Sequence, residues 1–274
     1  MKDWHDPALT AALADLAEHD LTPARTVLAD ARDDPEVRSL RVEVLSEELI
    51  GSGRQILGLA MDDVDPELSL LAGAVAVREA RVIAEGARDA DAARMTHAYL
   101  RRAVGPLNQA ADLLDTDPVP HDLLQFPAAV LTPAERDSPW EKAIRRAPRL
   151  FSAHRTRIDL MTPEQGLDFA RTTARAAGSG DPRIALVPYA HLRACARLAA
   201  QHRAAGKTPR GAELHARWEY FGSHGGRTRT EIADLSERFL AAARPHPRTR
   251  QAHTLFATAF TAMSDPVRAT AHRG

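Results

Sequence analysis

Apolar residues recur at helical spacing along this chain. Leu9, Leu13 and Leu16 stand at positions i, i+4 and i+7, and Leu40 and Val44 continue the spacing further on. Recurrence every three or four residues places apolar side chains on one face of an α-helix. No stretch of the sequence sustains the alternation of apolar and polar residues that is typical of a strand. The pattern predicts an all-α protein with roughly 10–13 helices.

Pairs of aspartate and proline mark helix starts. Six of the 18 prolines directly follow an aspartate, at 6–7, 34–35, 65–66, 117–118, 181–182 and 265–266. Aspartate accepts hydrogen bonds from the free N–H groups of a first helical turn, and proline fits the first helical position. Each pair therefore predicts a helix start. Ser138 and Thr162, which Glu141 and Gln165 follow three residues later, predict two more starts with capping boxes.

The spacing between these signals predicts the organisation of the chain. Long helices are expected over 66–86, 91–114, 163–177 and 188–205, and glycine-containing loops over 178–180, 206–211 and 222–226. Five prolines within 115–139 favour a hinge there. We therefore expect a helical half over 1–114, a proline-rich connector over 115–139 and a second helical half over 140–274, with one continuous solenoid as the alternative.

The two halves carry opposite charge. Residues 1–140 have 13 Lys and Arg against 26 Asp and Glu, and residues 141–274 have 23 against 11. These counts give net charges of −13 and +12, which the whole-chain value of −1 conceals. Such an asymmetry indicates a surface that meets a charged partner, an anionic ligand or an oppositely charged surface of the same protein.

Composition narrows the class of protein. Cys195 is the single cysteine, which excludes an internal disulfide and favours a reducing cytoplasm. The N-terminal residues do not read as a signal peptide, and no window is apolar enough to span a membrane. Glycine-rich phosphate loops, dinucleotide-binding fingerprints, zinc-protease motifs and nucleophile elbows are all missing from the sequence. These absences lower the expectation of a common enzyme class.

Several segments resemble known helical families. The stretch LTPARTVLADARDDP over 21–35 resembles the second helix of a tetratricopeptide (TPR) repeat, with Ala24, Ala31 and Pro35 at its small and terminating positions. The signature of the first helix, W-x2-L-G-x2-Y, is missing. The segments 73–81, 161–177 and 237–269 resemble an actinobacterial family of helical proteins with a domain of unknown function. The resemblance implies a TPR-like solenoid of helical hairpins in a right-handed superhelix, and it supplies no catalytic residue.

The segment WEYFGSHGGRTR over 218–229 is the strongest candidate for a binding site. Aromatic residues, glycines and arginines coincide there, and guanidinium groups beside a helix start favour an anion. The alternative is a solvated loop whose aromatic side chains anchor it to the core. The predicted binding residues are Trp218, Tyr220, His215, His224, Arg227 and Arg229. We assign no catalytic residue, no cofactor and no metal ligand from the sequence.

Two helical pairs have a structural and a chemical interpretation. His191 and Cys195 are four residues apart, which suits a soft metal or an activated thiol, but a buried cysteine beside a hydrogen-bonded histidine is the favoured interpretation. His215 and Glu219 have the same spacing, which suits a general base or an ordinary ion pair on a helix surface. We favour the ordinary pair.

The sequence therefore favours a non-enzymatic interaction protein. We expect a TPR-like scaffold that binds an acidic protein or peptide, or that self-associates through its oppositely charged halves. The alternative is a small-molecule-binding protein or an enzyme of specialised metabolism with an anion-binding pocket around residues 213–229. Nucleic acid is disfavoured as a partner because the acidic half repels phosphate.

Overall fold

The computed structural model describes residues 6–16, 20–86, 89–222, 225–242 and 245–273, and in these ranges it is all-α. Two 3-10 turns, Pro133–Glu135 and Pro182–Ala185, and a π-helical turn, Trp218–Gly222, complete the helical structure of the described ranges. The fifteen α-helices of these ranges are α1 (Pro7–Leu16), α2 (Thr22–Ala29), α3 (Pro35–Glu48), α4 (Gly53–Asp62), α5 (Pro66–Gly86), α6 (Ala90–Leu113), α7 (Val119–Leu131), α8 (Asp137–Arg146), α9 (Phe151–Asp159), α10 (Pro163–Ala176), α11 (Leu186–Ala204), α12 (Pro209–Arg217), α13 (Gly225–Leu240), α14 (Thr249–Ala262) and α15 (Pro266–Ala271). The all-α prediction is confirmed. The number of helices exceeds the expected 10–13 because several helices have ten residues or fewer.

All six aspartate–proline pairs begin helical segments, as predicted. Helices α1, α3, α5 and α15 start at the proline itself. The Asp6 carboxylate accepts a hydrogen bond from the backbone N–H of Leu9 at 3.0 Å, which satisfies a donor that the first turn leaves free. Asp181 caps the second 3-10 turn, and α7 starts one residue after Pro118, with Asp117 accepting from Val119 N–H at 2.9 Å. A local capping interaction thus sets these boundaries.

One of the two predicted capping boxes is confirmed. Thr162 and Gln165 form the reciprocal pair at the start of α10. The box predicted at Ser138 is wrong because α8 begins at Asp137, so that Ser138 lies inside the first turn. The first 3-10 turn ends only two residues before α8, and Pro139 is tolerated in a first turn because the N–H groups there have no helical partner.

The predicted long helices agree with α5, α6, α10 and α11 to within two residues at each end. The loop over 178–180 is confirmed. The loop over 206–211 is shorter than predicted because α12 begins at Pro209, which Thr208 caps. The loop over 222–226 is also shorter, since Gly222 ends the π-helical turn and α13 begins at Gly225.

The segment expected to be a connector, 115–139, contains α7 and packs against other helices. Val119, Leu124 and Pro127 of α7 are buried. Pro118 and Pro120 stand at the start of the helix, where proline is tolerated, and Pro127 lies inside it. Proline is therefore used here mostly to begin helices. The structure divides into two compact units, Met1–Thr156 (unit 1) and Arg157–Gly274 (unit 2), and not within the predicted connector.

Unit 1 is built around α5. Thirteen of the 21 residues of this helix are buried, among them Leu70, Leu71 and Val75. Helices α5 and α6 form a closely packed hairpin in which Gly73 faces Leu107. A Cβ atom at Gly73 would clash with the Leu107 side chain, so the close approach of the two helices favours glycine at this position.

A buried arginine joins three elements of unit 1. Arg38 of α3 is fully buried, and its Nη2 lies 2.7 Å from Oε2 of Glu67 on α5. Its Nε donates to Oδ2 of Asp117, the cap of α7, at 2.6 Å, and Nη1 donates to the carbonyl oxygen of Leu28. Arg32 pairs with the same Glu67 at 2.6 Å. Two buried carboxylates thus share one buried guanidinium.

Unit 2 has its own core of alanine and aromatic side chains. Ile184, Phe256 and Phe260 are fully buried within it. The second 3-10 turn packs into this core and follows Gly180, whose φ is +76°. A Cβ atom at Gly180 would clash with the carbonyl oxygen of Ala242, so both the backbone angle and the space require glycine.

Candidate functional site

A groove of about 840 Å³ lies in unit 2 between α10 and α13. On each helix the lining residues follow helical spacing, so each set occupies one face. Val187 of α11 contributes to the apolar part of the wall. The lining residues are Arg171, Ala174, Arg175, Val187, Gly226, Arg227, Thr230, Glu231, Asp234 and Leu235.

A hydrogen-bonded network supports one wall of the groove. Glu231 accepts two hydrogen bonds from Arg171, from Nε at 2.7 Å and from Nη2 at 2.8 Å. Nε2 of His191 lies 3.2 Å from Oε2 of Glu231, and Nδ1 of His191 lies 3.0 Å from the Tyr220 hydroxyl. Bidentate pairing of this kind fixes geometry as well as charge. The network ties α10, α11, α13 and the π-helical turn together.

Burial and charge pairing perturb the groups of this network. Hydrogen bonds from Arg171 and then His191 lower the pKa of Glu231 to about 2, and the bond to Glu231 raises the pKa of Arg171. Burial, followed by the nearby Cys195, raises the pKa of Tyr220 to about 12. Glu231 therefore stays ionised and Tyr220 stays protonated at neutral pH. The network holds the wall in place through the ionised Glu231 and the protonated Tyr220.

Two guanidinium groups of the groove are not used in ion pairs. Arg175 donates to the backbone oxygen of Arg171 at 3.3 Å and to the Thr172 hydroxyl at 3.2 Å. Among the described residues, neither Arg175 nor Arg227 has a carboxylate partner, and both are exposed. The exposed carboxylate of Asp234 likewise has no ion pair within the described ranges. As far as the described residues show, the groove therefore offers two guanidinium groups and one carboxylate that are outside ion pairs, beside an apolar wall.

The structure describes five of the six predicted binding residues and places them at several positions in unit 2. Arg227 lines the groove. Tyr220 does not line it, but its hydroxyl is hydrogen-bonded to His191 of the supporting network. Arg229 is exposed, and it donates to the backbone oxygen of Met263 at 2.8 Å, so that it links α13 to the end of α14. Trp218, 66% exposed, lies beside His215, with ring centroids 6.1 Å apart. His224 lies outside the described residues.

The interpretation of His191 and Cys195 is confirmed. Both residues are buried on α11, and burial raises the pKa of the Cys195 thiol. His191 bonds to Tyr220 and Glu231 instead of the thiol. A thiol with a raised pKa is protonated at neutral pH and is a poor nucleophile. Cys195 is therefore a core residue.

Sequence reasoning missed the residues that form most of the groove. Arg171, Arg175, Glu231 and Asp234 belong to ordinary amphipathic helices, and their spacing in RTTAR and TEIAD resembles any exposed helix face. Arg171 and Glu231 are 60 positions apart, so only the packing of α10 on α13 brings them together. The sequence shows the charged positions within each helix, but it does not show which residue of the other helix pairs with them.

The sequence analysis also did not predict a second polar network in unit 2. The Ser236 hydroxyl lies 2.7 Å from Nε2 of His272, and Nδ1 of His272 lies 3.0 Å from Nδ1 of His253. This order of side chains matches that of a hydroxyl nucleophile with a general base. Ser236 and His272 are both buried, however, and His272 stacks on Phe256 with ring centroids 4.9 Å apart. We therefore assign the network to the stability of unit 2.

Comparison with protein-family models, curated proteins and solved structures gives no match to the chain. The candidate site accordingly rests on the geometry of its own residues. No helix in the described ranges has the length and apolar character needed to cross a lipid bilayer.

Proposed function

We propose that this chain is a non-enzymatic binding protein whose unit 2 takes an acidic segment of a partner protein into the groove between α10 and α13. Carboxylates of that segment pair with Arg175 and Arg227, and an apolar side chain packs on the half-buried Leu235, beside the buried Ala174 and Val187. The observation that carries the proposal is the pair of guanidinium groups without carboxylate partners within the described residues, next to an apolar wall.

The charge of each unit supports an acidic partner. Unit 1 has 18 basic and 27 acidic residues, a net charge of −9, and unit 2 has 18 basic and 10 acidic residues, a net charge of +8. A positive unit attracts an acidic segment over about a Debye length and speeds its association. Unit 1 of a second copy is one protein surface with the required sign. Self-association is therefore included in the proposal.

Helical hairpins suit such a role, because groups of packed helices present grooves to extended segments. The α5–α6 hairpin and the sequential packing of α11 on α12 are consistent with a TPR-like repeat organisation, as the resemblance of the sequence implies. A right-handed superhelix and membership of the actinobacterial family remain part of this proposal.

A small anionic molecule is the second candidate for the groove. The volume of about 840 Å³ falls in the range of about 300–1,000 Å³ that is usual for small-molecule sites. The same two guanidinium groups would hold its phosphate or carboxylate. A competition experiment distinguishes this ligand from a protein segment.

Fluorescence anisotropy tests the proposal. A labelled peptide of glutamate and leucine residues should bind the full chain, and its lysine counterpart should not. The double variant Arg175→Ala and Arg227→Ala should weaken binding by about tenfold or more, since two charge-assisted contacts are lost. The matched control is Arg203→Ala with Arg210→Ala, which removes the same charge from exposed positions outside the groove.

Equal weakening in the two double variants would contradict the groove and leave only the net charge of unit 2 as the cause. Peptide binding that free phosphate or a dicarboxylate displaces at low concentration would instead favour the small molecule. Sedimentation of the unmodified chain at low and at high salt tests self-association, which should decrease as salt is added.

A further inference from the structure

Two histidines and a glutamate converge at a second place in unit 2, outside the groove. His202 lies near the end of α11, His215 on α12 and Glu219 in the π-helical turn that follows α12. One potential ligand atom from each residue lies within 4.8 Å of the other two. Nε2 of His202 is 3.0 Å from Oε2 of Glu219, and the two imidazole rings are 4.9 Å apart at 85°.

The local fold explains why these side chains meet. His215 and Glu219 are four residues apart, so successive turns place them on one face. The π-helical turn Trp218–Gly222 begins at the residue before Glu219. Single π-helical turns are uncommon and are often found at functional sites. The short connection from α11 to α12 then brings His202 back over this face.

We infer that His202, His215 and Glu219 form a binding site for a divalent transition-metal ion, with Zn²⁺ as the best match. Imidazole nitrogen and carboxylate oxygen are normal zinc ligands, and three protein ligands with a fourth position open to water is a known zinc arrangement. Neither metal binding nor this trio is part of the function proposed for the groove. The groove residues contribute nothing to the site.

The geometry needs only a small contraction. Zinc bonds of about 2.0–2.1 Å in a tetrahedron place ligand atoms about 3.4 Å from each other. His202 and Glu219 already meet this separation at 3.0 Å. His215 and Glu219 are exposed, so a change of side-chain rotamer can bring the remaining ligand atoms together without displacing the core.

Zinc titration of the untagged, chelator-treated full chain tests the site. Isothermal titration calorimetry with ZnCl₂ should show one ion per chain. His202→Ala, His215→Ala and Glu219→Gln should each weaken zinc binding by at least about tenfold, which is the smallest effect usually seen even for residues that only support a ligand. His97→Ala is the matched control, since His97 is an exposed histidine of unit 1 and belongs to no such group among the residues that the structure describes.

Trp218 supplies an independent readout. Its ring lies 6.1 Å from that of His215, so Cu²⁺ bound at the site should quench its fluorescence. Trp218→Phe should remove that quenching and leave the zinc stoichiometry unchanged. Binding of the acidic peptide should not change in any of the three ligand variants, which separates this inference from the proposed groove.

Two results would overturn the inference. One is that calorimetry detects no zinc binding when ZnCl₂ is added up to one equivalent per chain. The other is that it binds zinc equally well in His97→Ala, His202→Ala and His215→Ala, which would place the ion elsewhere. Circular dichroism spectra identical to that of the unmodified chain confirm that a variant has lost a ligand and not its fold.

Discussion

Replacing Arg38 by methionine should destabilise unit 1 by about 3–5 kcal/mol. Methionine retains most of the side-chain volume but leaves Glu67 and Asp117 buried without the guanidinium that lies 2.7 Å and 2.6 Å from them. Removing one partner of a buried ion pair costs this much because an uncompensated charge stays buried. Arg32 still pairs with Glu67, so the larger loss falls on Asp117.

Urea unfolding measures the loss. In a Trp218→Phe background the remaining tryptophans, Trp4 and Trp140, both belong to unit 1, so fluorescence follows this unit. With a denaturant dependence of about 2 kcal/mol per molar urea, the midpoint should fall by about 1.5–2.5 M. Arg54→Met, at an exposed position of α4 without an ion pair in the described ranges, should change stability by less than about 0.5 kcal/mol.

The second variant of this series separates charge from packing. Arg38→Met with Asp117→Asn should be more stable than Arg38→Met alone, because asparagine can still cap α7 while it removes the unpaired charge. A midpoint shift below about 0.5 M for Arg38→Met would refute the reasoning. So would a double variant whose loss of stability equals the sum of the losses in Arg38→Met alone and Asp117→Asn alone.

Three further predictions concern single residues. Burial, and then the neighbouring His253, lowers the pKa of His272 to about 4 from 6.5, so the folded chain excludes a proton that the unfolded chain binds between these values. Unit 2 should therefore lose about 1–2 kcal/mol between pH 7 and pH 4.5, a figure reduced for solvent screening, and His272→Gln should reduce this pH dependence of the urea midpoint. Gly73→Ala should cost about 1–3 kcal/mol in thermal unfolding because its Cβ would meet Leu107, whereas Gly105→Ala, with open space around it, should be neutral or slightly stabilising. Cys195 should react with a thiol reagent slowly in the folded chain and rapidly in urea, since the thiol is buried with a raised pKa; equal rates would contradict its placement in the core.

Local chemistry made the helix starts predictable. The aspartate of each aspartate–proline pair acts on N–H groups two or three residues away, so Asp34 caps α3 whatever packs on that helix. Ser138 shows the limit of this reasoning. The S-x-x-E pattern is present in the sequence, but α8 already begins at Asp137, two residues after a 3-10 turn ends, so Ser138 is not the cap. Several valid start signals close together compete, and neighbouring structure decides between them.

Distant pairing could not be predicted. Arg38 and Asp117 are 79 positions apart, and Arg171 and Glu231 are 60 apart. Arg38, Arg171 and Glu231 have the pattern of ordinary charged positions on amphipathic helices, and arginine is rarely fully buried. The sequence marks Asp117 as a helix start but does not show its pairing with Arg38. The candidate residues of the segment 218–229 were selected because they are close in sequence. The groove instead combines Arg227 with residues of α10, which only tertiary packing reveals.

Ion pairs inside each unit bear on the charge asymmetry, because a charge that is already paired is not available to a partner. In unit 1 several of the scarcer basic residues form internal ion pairs with aspartate or glutamate, among them Arg25, Arg32, Arg38 and Arg41. In unit 2 the scarcer acidic residues are used in the same way, since Asp159, Asp181, Glu231 and Asp265 all pair with arginine.

The net charge left after these pairs has the excess sign in each unit, and it is available to a partner. Because exposed charges are screened by salt while buried pairs are not, added salt should weaken binding by unit 2 without unfolding either unit. If added salt lowered both the binding affinity and the free energy of unfolding, the excess charge would be contributing to the stability of the fold. Binding that survived high salt would place the affinity in the apolar wall formed by Ala174, Val187 and Leu235.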